Sequence, residues 1–103
     1  MAQLVKVANT EDLSEGHCIA VEAAGRNVAL FHVNGKYFAI DGTCTHRGGP
    51  LAEGELNGNV VTCPWHGANF DVTSGEALSP PAPSGVTCYQ VQVDGSEVKI
   101  EVP

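Results

Sequence analysis

The sequence predicts an all-β fold, on three observations. Asn34-Gly35 joins two apolar runs, which is the strongest short-range signal for a hairpin. Asp94-Gly95 repeats that signal near the C-terminus. No long stretch carries a helical period. The expected frame is an antiparallel sandwich or barrel-like base with an inserted lobe.

The elements follow in order. Gln3–Ala8 reads as a first strand. Asn9-Thr10-Glu11-Asp12-Leu13 can cap one helical turn at most, and Glu15-Gly16 ends it. Cys18–Glu22 and Asn27–Val33 are apolar runs separated by a turn at Ala24-Gly25-Arg26. Asn34-Gly35 then leads into Tyr37–Ile40. From Gly42 to Pro83 the chain turns rich in Gly and Pro, with short strands expected at Asn59–Thr62 and Asn69–Val72. In Cys88–Val93, Tyr89, Val91 and Val93 alternate with Cys88, Gln90 and Gln92, as in a half-buried strand, and Glu97–Val102 closes the sequence. A long irregular stretch in a compact domain needs a reason, and a metal cluster supplies one by organising loops with little core of their own. The expectation is therefore one domain over residues 1–103. Residues 1–42 and about 84–103 form its base, and residues 43–83 form a cluster-binding lobe.

Composition narrows the class. A chain of 103 residues with 43% apolar content suits one domain with one core. No apolar run approaches the roughly 20 residues that cross a bilayer, and the N-terminus lacks the basic and apolar regions of a signal peptide. A cytoplasmic protein with no membrane association is expected. Twelve acidic against five basic residues give a formal charge of −7, which disfavours nucleic acid and suits steering toward positively charged redox partners.

The chemistry lies in two segments, Cys44-Thr45-His46-Arg47-Gly48 and Cys63-Pro64-Trp65-His66-Gly67. Each supplies one thiolate and one imidazole on its own tight turn, with residues 47–62 between the pairs. Two thiolates and two imidazoles are the donor set of a mixed-ligand [2Fe-2S] centre, in which two His replace two Cys on one iron. A structural zinc site also uses Cys₂His₂. Its usual spacing keeps the two Cys together and sets the two His at least three residues apart, which Cys-x-His and Cys-x-x-His fit poorly. A thiol nucleophile with a His base is a further possibility, but no third orienting group accompanies either pair. Gly48, Gly49 and Gly67 let the backbone approach a cluster closely. Cys18 and Cys88 lie in apolar runs and are expected to be buried small hydrophobes. His17 and His32 read as ordinary histidines.

Residues 44–51 (Cys-Thr-His-Arg-Gly-Gly-Pro-Leu) and 63–71 (Cys-Pro-Trp-His-Gly-Ala-Asn-Phe-Asp) resemble the two cluster loops of Rieske proteins. The likeness continues through Thr73-Ser74-Gly75-Glu76 and the proline-rich Ser79–Pro83, and it spans nearly the whole chain. The resemblance implies a Rieske-type fold with two ligand loops and a proline-rich third loop, carrying one [2Fe-2S] cluster. Cys44 and Cys63 would hold the inner iron, and His46 and His66 the outer iron near the surface. Respiratory members carry an extra loop disulfide, where this chain has Gly49 and Trp65. They also carry Ser and Tyr donors, where this chain has Ala68 and Phe70, so a potential at the low end of the Rieske range is expected. The chain is too short for the second, mononuclear-iron domain of a terminal oxygenase. Hence the expectation is an electron-transfer protein that is not an enzyme in its own right. It resembles the ferredoxin component of bacterial aromatic-ring-hydroxylating dioxygenase systems. Such a protein takes single electrons from a flavin-dependent NAD(P)H ferredoxin reductase and docks transiently on the terminal oxygenase. Arg47, Pro50, Trp65 and Pro81 are the expected docking rim. A small Rieske subunit of an assimilatory nitrite reductase is the alternative.

Overall fold

Two tight turns fold the first part of the chain into a meander. The computed structural model describes residues 3–42, 51–64, 67, 69–78 and 85–102. After β1 (Gln3–Asn9) and a 3₁₀ turn (Thr10–Asp12), strands β2 (Cys18–Ala23), β3 (Arg26–Val33) and β4 (Lys36–Asp41) run antiparallel. Both connections have two residues at positive φ: Ala24 at 51° with Gly25 at 79°, and Asn34 at 53° with Gly35 at 75°. Paired positive φ values define the turn whose twist matches that of the flanking strands, which is why Asn-Gly marks it. The first turn is Ala24-Gly25 alone, because Arg26 already pairs with Ala23.

Short strands β5 (Glu55–Asn57), β6 (Val60–Thr62) and β7 (Asn69–Asp71) form a separate antiparallel sheet, preceded by a 3₁₀ turn at Leu51–Glu53. The chain then supplies β8 (Cys88–Tyr89), β9 (Val91–Asp94) and β10 (Glu97–Val102). The three sheets are ordered β2-β3-β4-β8, β1-β10-β9 and β5-β6-β7.

The first of these is the middle layer, and β3 explains why. Its side chains alternate between two buried clusters. Val28 and Leu30 pack with Val98, Ile100 and Val102 of β10. Ala29, Phe31 and Val33 pack with Leu51, Val61, Cys63, Phe70 and Val72. A strand covered on both faces reads as a continuous apolar run, as Val28–Phe31 does. Every large side chain in those two clusters is essentially removed from water.

Three sequence expectations need correction. Cys88–Val93 is not one strand. Tyr89 pairs with Ala39 in the middle sheet, Val91 pairs with Ile100 in the outer sheet, and Gln90 makes the crossing. The alternation also fails at Val93, which is 45% exposed at the outer sheet's edge. Cys88 is exposed, and Cys18 is half-buried with its thiol donating to the Ala52 carbonyl at 3.1 Å. Both cysteines were expected to be buried, but Cys88 stays exposed in the two-residue β8, its thiol donating to the Thr73 carbonyl at 3.5 Å. Finally, β5 was not anticipated, because Glu-Leu-Asn offers one apolar residue and no alternation.

Glu15 ties the Asn34-Gly35 turn to the preceding loop. Its carboxylate accepts from Asn34 N at 2.6 Å and Gly35 N at 2.7 Å, and the His32 ring lies 3.7 Å away. The Gly35 N–H, ahead of the opposing loss of water, holds this carboxyl below its ordinary value of 4.5; Asn34 and His32 push the same way. A carboxyl lowered in the folded state stabilises above its unfolded pKa, and that contribution fades as pH falls through the folded value. Glu15→Gln is therefore expected to melt lower than the parent at neutral pH. The gap should close on acidification below about pH 4.5, as followed by thermal melts. A gap independent of pH would contradict this account.

Candidate metal centre

Cys63 follows β6, and the two-residue period of a strand decides where it points. Val61 is fully buried against the middle sheet, so Cys63, two residues on, continues the same inward row and is 1% exposed. Leu51, Phe70 and Val72 complete the apolar floor around it. The chain then emerges at once, since Pro64 and Gly67 are exposed. Gly67 has φ 74°, a left-handed conformation in the second cysteine–histidine segment that a side chain would strain.

Cys44, His46, His66, Arg47, Pro50, Trp65, Ala68 and Pro81 lie outside the described residues. Among the described residues no group of three His, Cys, Asp or Glu could hold a metal ion, as expected when three of four proposed donors fall elsewhere. His17 is exposed, and its carbonyl accepts from His32 N at 3.1 Å. His32 stacks on Tyr37 with ring centroids 4.2 Å apart, and its Nδ1 is 2.9 Å from the Leu13 carbonyl, so it serves the base.

The anchoring of the loop ends is described for all three loops. The first loop leaves β4 at Gly42 and returns at Leu51, whose N–H donates to the Gly42 carbonyl at 2.9 Å. The second is closed by the Thr62–Asn69 cross-strand pair, with the Thr62 hydroxyl donating to Asn69 Oδ1 at 2.6 Å. The proline-rich stretch starts after Leu78, whose N–H donates to the Asn69 carbonyl at 2.8 Å, and it ends where Val86 N–H donates to the Gly75 carbonyl at 2.8 Å. The turn at 71–75 that serves this last closure is itself held by Asp71, which accepts from Thr73 N and Thr73 Oγ1 at 2.8 and 2.6 Å. Sequence reading found the loops by their candidate donors but not these closures: backbone carbonyl acceptors leave no mark on residue type, and the Thr62–Asn69 pair is defined only by the register of two strands.

Gly75 shows how tight the last closure is. Its φ is +80°, and a Cβ there would overlap the Val86 carbonyl oxygen. Gly75→Ala is expected to cost about 1–3 kcal/mol in chemical denaturation, by forcing both the backbone and the contact. Unchanged stability would show that this end of the loop yields freely.

The fit to a [2Fe-2S] cluster can be tested at the described donor. An inner iron needs a thiolate shielded from water at the floor of a loop cluster, and Cys63 occupies such a position. Two thiolates with two imidazoles complete the donor chemistry. The residues present fit the group.

Comparison with known proteins agrees. A family model described as the Rieske [2Fe-2S] domain matches residues 3–90. The ferredoxin component of the naphthalene 1,2-dioxygenase/salicylate 5-hydroxylase systems of Ralstonia sp is 32% identical over 98 residues, covering 95% of this chain and 94% of that one. Among solved structures, the ferredoxin of carbazole 1,9a-dioxygenase from Nocardioides aromaticivorans IC177 superposes with a TM-score of 0.91 at 29% identity, covering 95% of this chain and 96% of that one. A second match, at TM-score 0.88 and 33% identity, covers 94% of this chain and 91% of the other; it comes from a complex of reduced oxygenase and oxidized ferredoxin in carbazole 1,9a-dioxygenase.

Proposed function

Because this chain belongs to the Rieske [2Fe-2S] domain family, we propose that it is the ferredoxin of a ring-hydroxylating dioxygenase system, an electron carrier with no catalytic reaction of its own. The observation that carries this reading is the likeness to such ferredoxins along almost the full length of both chains. The nitrite reductase alternative has weaker support, since those relatives are components of oxygenase systems.

Cys44 and Cys63 would hold the inner iron, and His46 and His66 the outer iron through ring nitrogens. The bound cluster supplies one-electron redox chemistry. The chain's own residues do the rest. The apolar floor formed by Leu51, Val61, Phe70 and Val72 keeps water from the Cys63 side. The closed loop ends anchor the chain on either side of the proposed ligands. Arg47, Pro50, Trp65 and Pro81 would form the rim through which a partner approaches the histidine side. The formal charge of −7 favours brief encounters with positively charged faces. The partners are a flavin-dependent NAD(P)H ferredoxin reductase and the terminal oxygenase; a similar ferredoxin already occurs in complex with its oxygenase. Among the described residues no helix is long and apolar enough to cross a membrane, and the proposed location is the cytoplasm.

The test is spectroscopic and kinetic. Purified protein is expected to be brown and to contain two irons and two acid-labile sulfides. When reduced, it should give an EPR signal with an average g below that of all-thiolate clusters. It should also pass single electrons from a flavin reductase to a ring-hydroxylating oxygenase. A colourless protein with one zinc, or stable co-purification with a sirohaem enzyme, would overturn the proposal.

The missing hydroxyl donors at Ala68 and Phe70 keep the potential low in this reading. Ala68→Ser is expected to raise it by about 20–60 mV, the equivalent of one hydrogen bond of about 0.5–1.5 kcal/mol in a one-electron couple. Potentiometric titration that finds no shift in a correctly folded variant would refute the hydrogen-bond account.

A further inference from the structure

The start of the first ligand loop is braced from the far end of the chain. Asp41 is the last residue of β4, three positions before Cys44. Its carboxylate accepts from the Tyr89 hydroxyl at 2.6 Å and from Thr87 N at 3.2 Å, while Asp41 N donates to the Thr87 carbonyl at 2.9 Å. Tyr89 is 4% exposed, and its hydroxyl also accepts from Arg26 Nη1 at 3.4 Å. Next in the chain, Gly42 N donates to the Asn27 carbonyl at 2.9 Å, and a Cβ on Gly42 would meet the Asn27 side chain at 2.9 Å.

Residues 41–42 are thus held from β3, from the segment 87–89 and from Leu51. That is more than a strand end needs. The same segment reaches the proline-rich stretch, because Val86 N donates to the Gly75 carbonyl one residue before Thr87. One short stretch of chain, 86–89, therefore connects the end of the third loop to the start of the first.

We propose that Tyr89 and Asp41 are positioning residues for the cluster: the Tyr89 hydroxyl, through the Asp41 carboxylate, fixes the backbone from which Cys44 and His46 are presented. This rests on the ligand assignment above. The device works by geometry and not by charge. An Asn at position 41 keeps one oxygen that can accept from Tyr89 but loses the acceptor for Thr87 N, whereas an Ala keeps neither.

The experiment compares four variants of the loaded protein. Tyr89→Phe and Asp41→Ala are expected to keep iron and sulfide but to shift the g values of the reduced EPR signal and the visible circular dichroism. They should also release iron to a chelator about three- to tenfold faster, the range of one lost hydrogen bond. Asp41→Asn, which keeps the acceptor for Tyr89 and loses the one for Thr87 N, is expected to shift clearly less than Asp41→Ala in all three readouts. Val98→Ala, in the core cluster that Tyr89 shares on the side of the middle sheet away from Cys63, is expected to lower the melting temperature while leaving the g values unchanged. The proposal falls if Tyr89→Phe and Asp41→Ala match Val98→Ala in every spectroscopic readout. It also falls if Asp41→Asn shifts as far as Asp41→Ala, which would place the role in the charge or in the Thr87 bond and not in the bond from Tyr89. Absence of iron and sulfide from the unmutated protein would instead sink the ligand assignment itself.

Discussion

Replacing Cys63 with Ala is expected to abolish cluster loading, taking iron from two atoms per chain to none. Cys63 is 1% exposed and continues the inward row of β6, and Ala leaves no ligand atom at that buried position. A group that binds only the native state at a thousandfold over its dissociation constant stabilises it by about 4 kcal/mol. For a domain near 100 residues that corresponds to roughly 15–30 °C in Tm. The variant should therefore melt with the metal-free parent, far below the loaded one. Cys18→Ala is the control: Cys18 packs against the same cluster of side chains but bonds only to the Ala52 carbonyl. It should keep its iron. A Cys63→Ala protein that retained iron and sulfide would refute the ligand assignment, and a Cys18→Ala protein that lost them would redirect it.

Phe70→Ala is expected to be the most destabilising change outside the ligands. Phe70 is fully buried, lies in β7 opposite Val61, and forms a bridge to Ala77. Truncating a buried Phe costs about 3–5 kcal/mol, through lost transfer free energy and the cavity left behind. Small domains have about 5–15 kcal/mol in all. The three-residue strands β5, β6 and β7 have little else to hold them, so the loss should fall first on the sheet that carries Cys63. Guanidinium unfolding of the metal-free protein would measure the cost. Hydrogen exchange should report early opening of Val60–Thr62 and Asn69–Asp71. A penalty below about 1 kcal/mol would mean that this side chain does not fill the floor of the site.

Much of the frame was legible because hairpins are local. Asn34-Gly35 takes the paired positive φ values that its residue types favour, and β2, β3 and β4 follow within a residue or two of their apolar runs. The four candidate donors stood out because Cys and His at those spacings have few other uses. The family likeness extended that reading across the chain. What failed was everything that depends on a distant partner. Nothing in Cys88–Val93 marks Gln90 as the crossing between two sheets, since a strand's alternation is the same whichever sheet it joins. Cys88 looked like a core residue because its neighbours are apolar, yet burial depends on how far the facing layer extends, and there the Cys88 thiol reaches the Thr73 carbonyl and stays exposed. β5 was missed because three residues with one apolar side chain are too short for a period.

The amino-acid sequence by itself determined the all-β character, the hairpins, the four candidate donors and the family. The tertiary structure alone decided that the β2-β3-β4-β8 sheet lies between the other two layers, that Cys63 faces its covered side, and that Tyr89 meets Asp41 across 48 positions of chain. The reason is one of range. Backbone propensity and side-chain period act over a few residues and are written in residue type. Layer order, burial and the closure of loops by backbone carbonyls arise only when remote segments meet, and a carbonyl acceptor is the same on every residue.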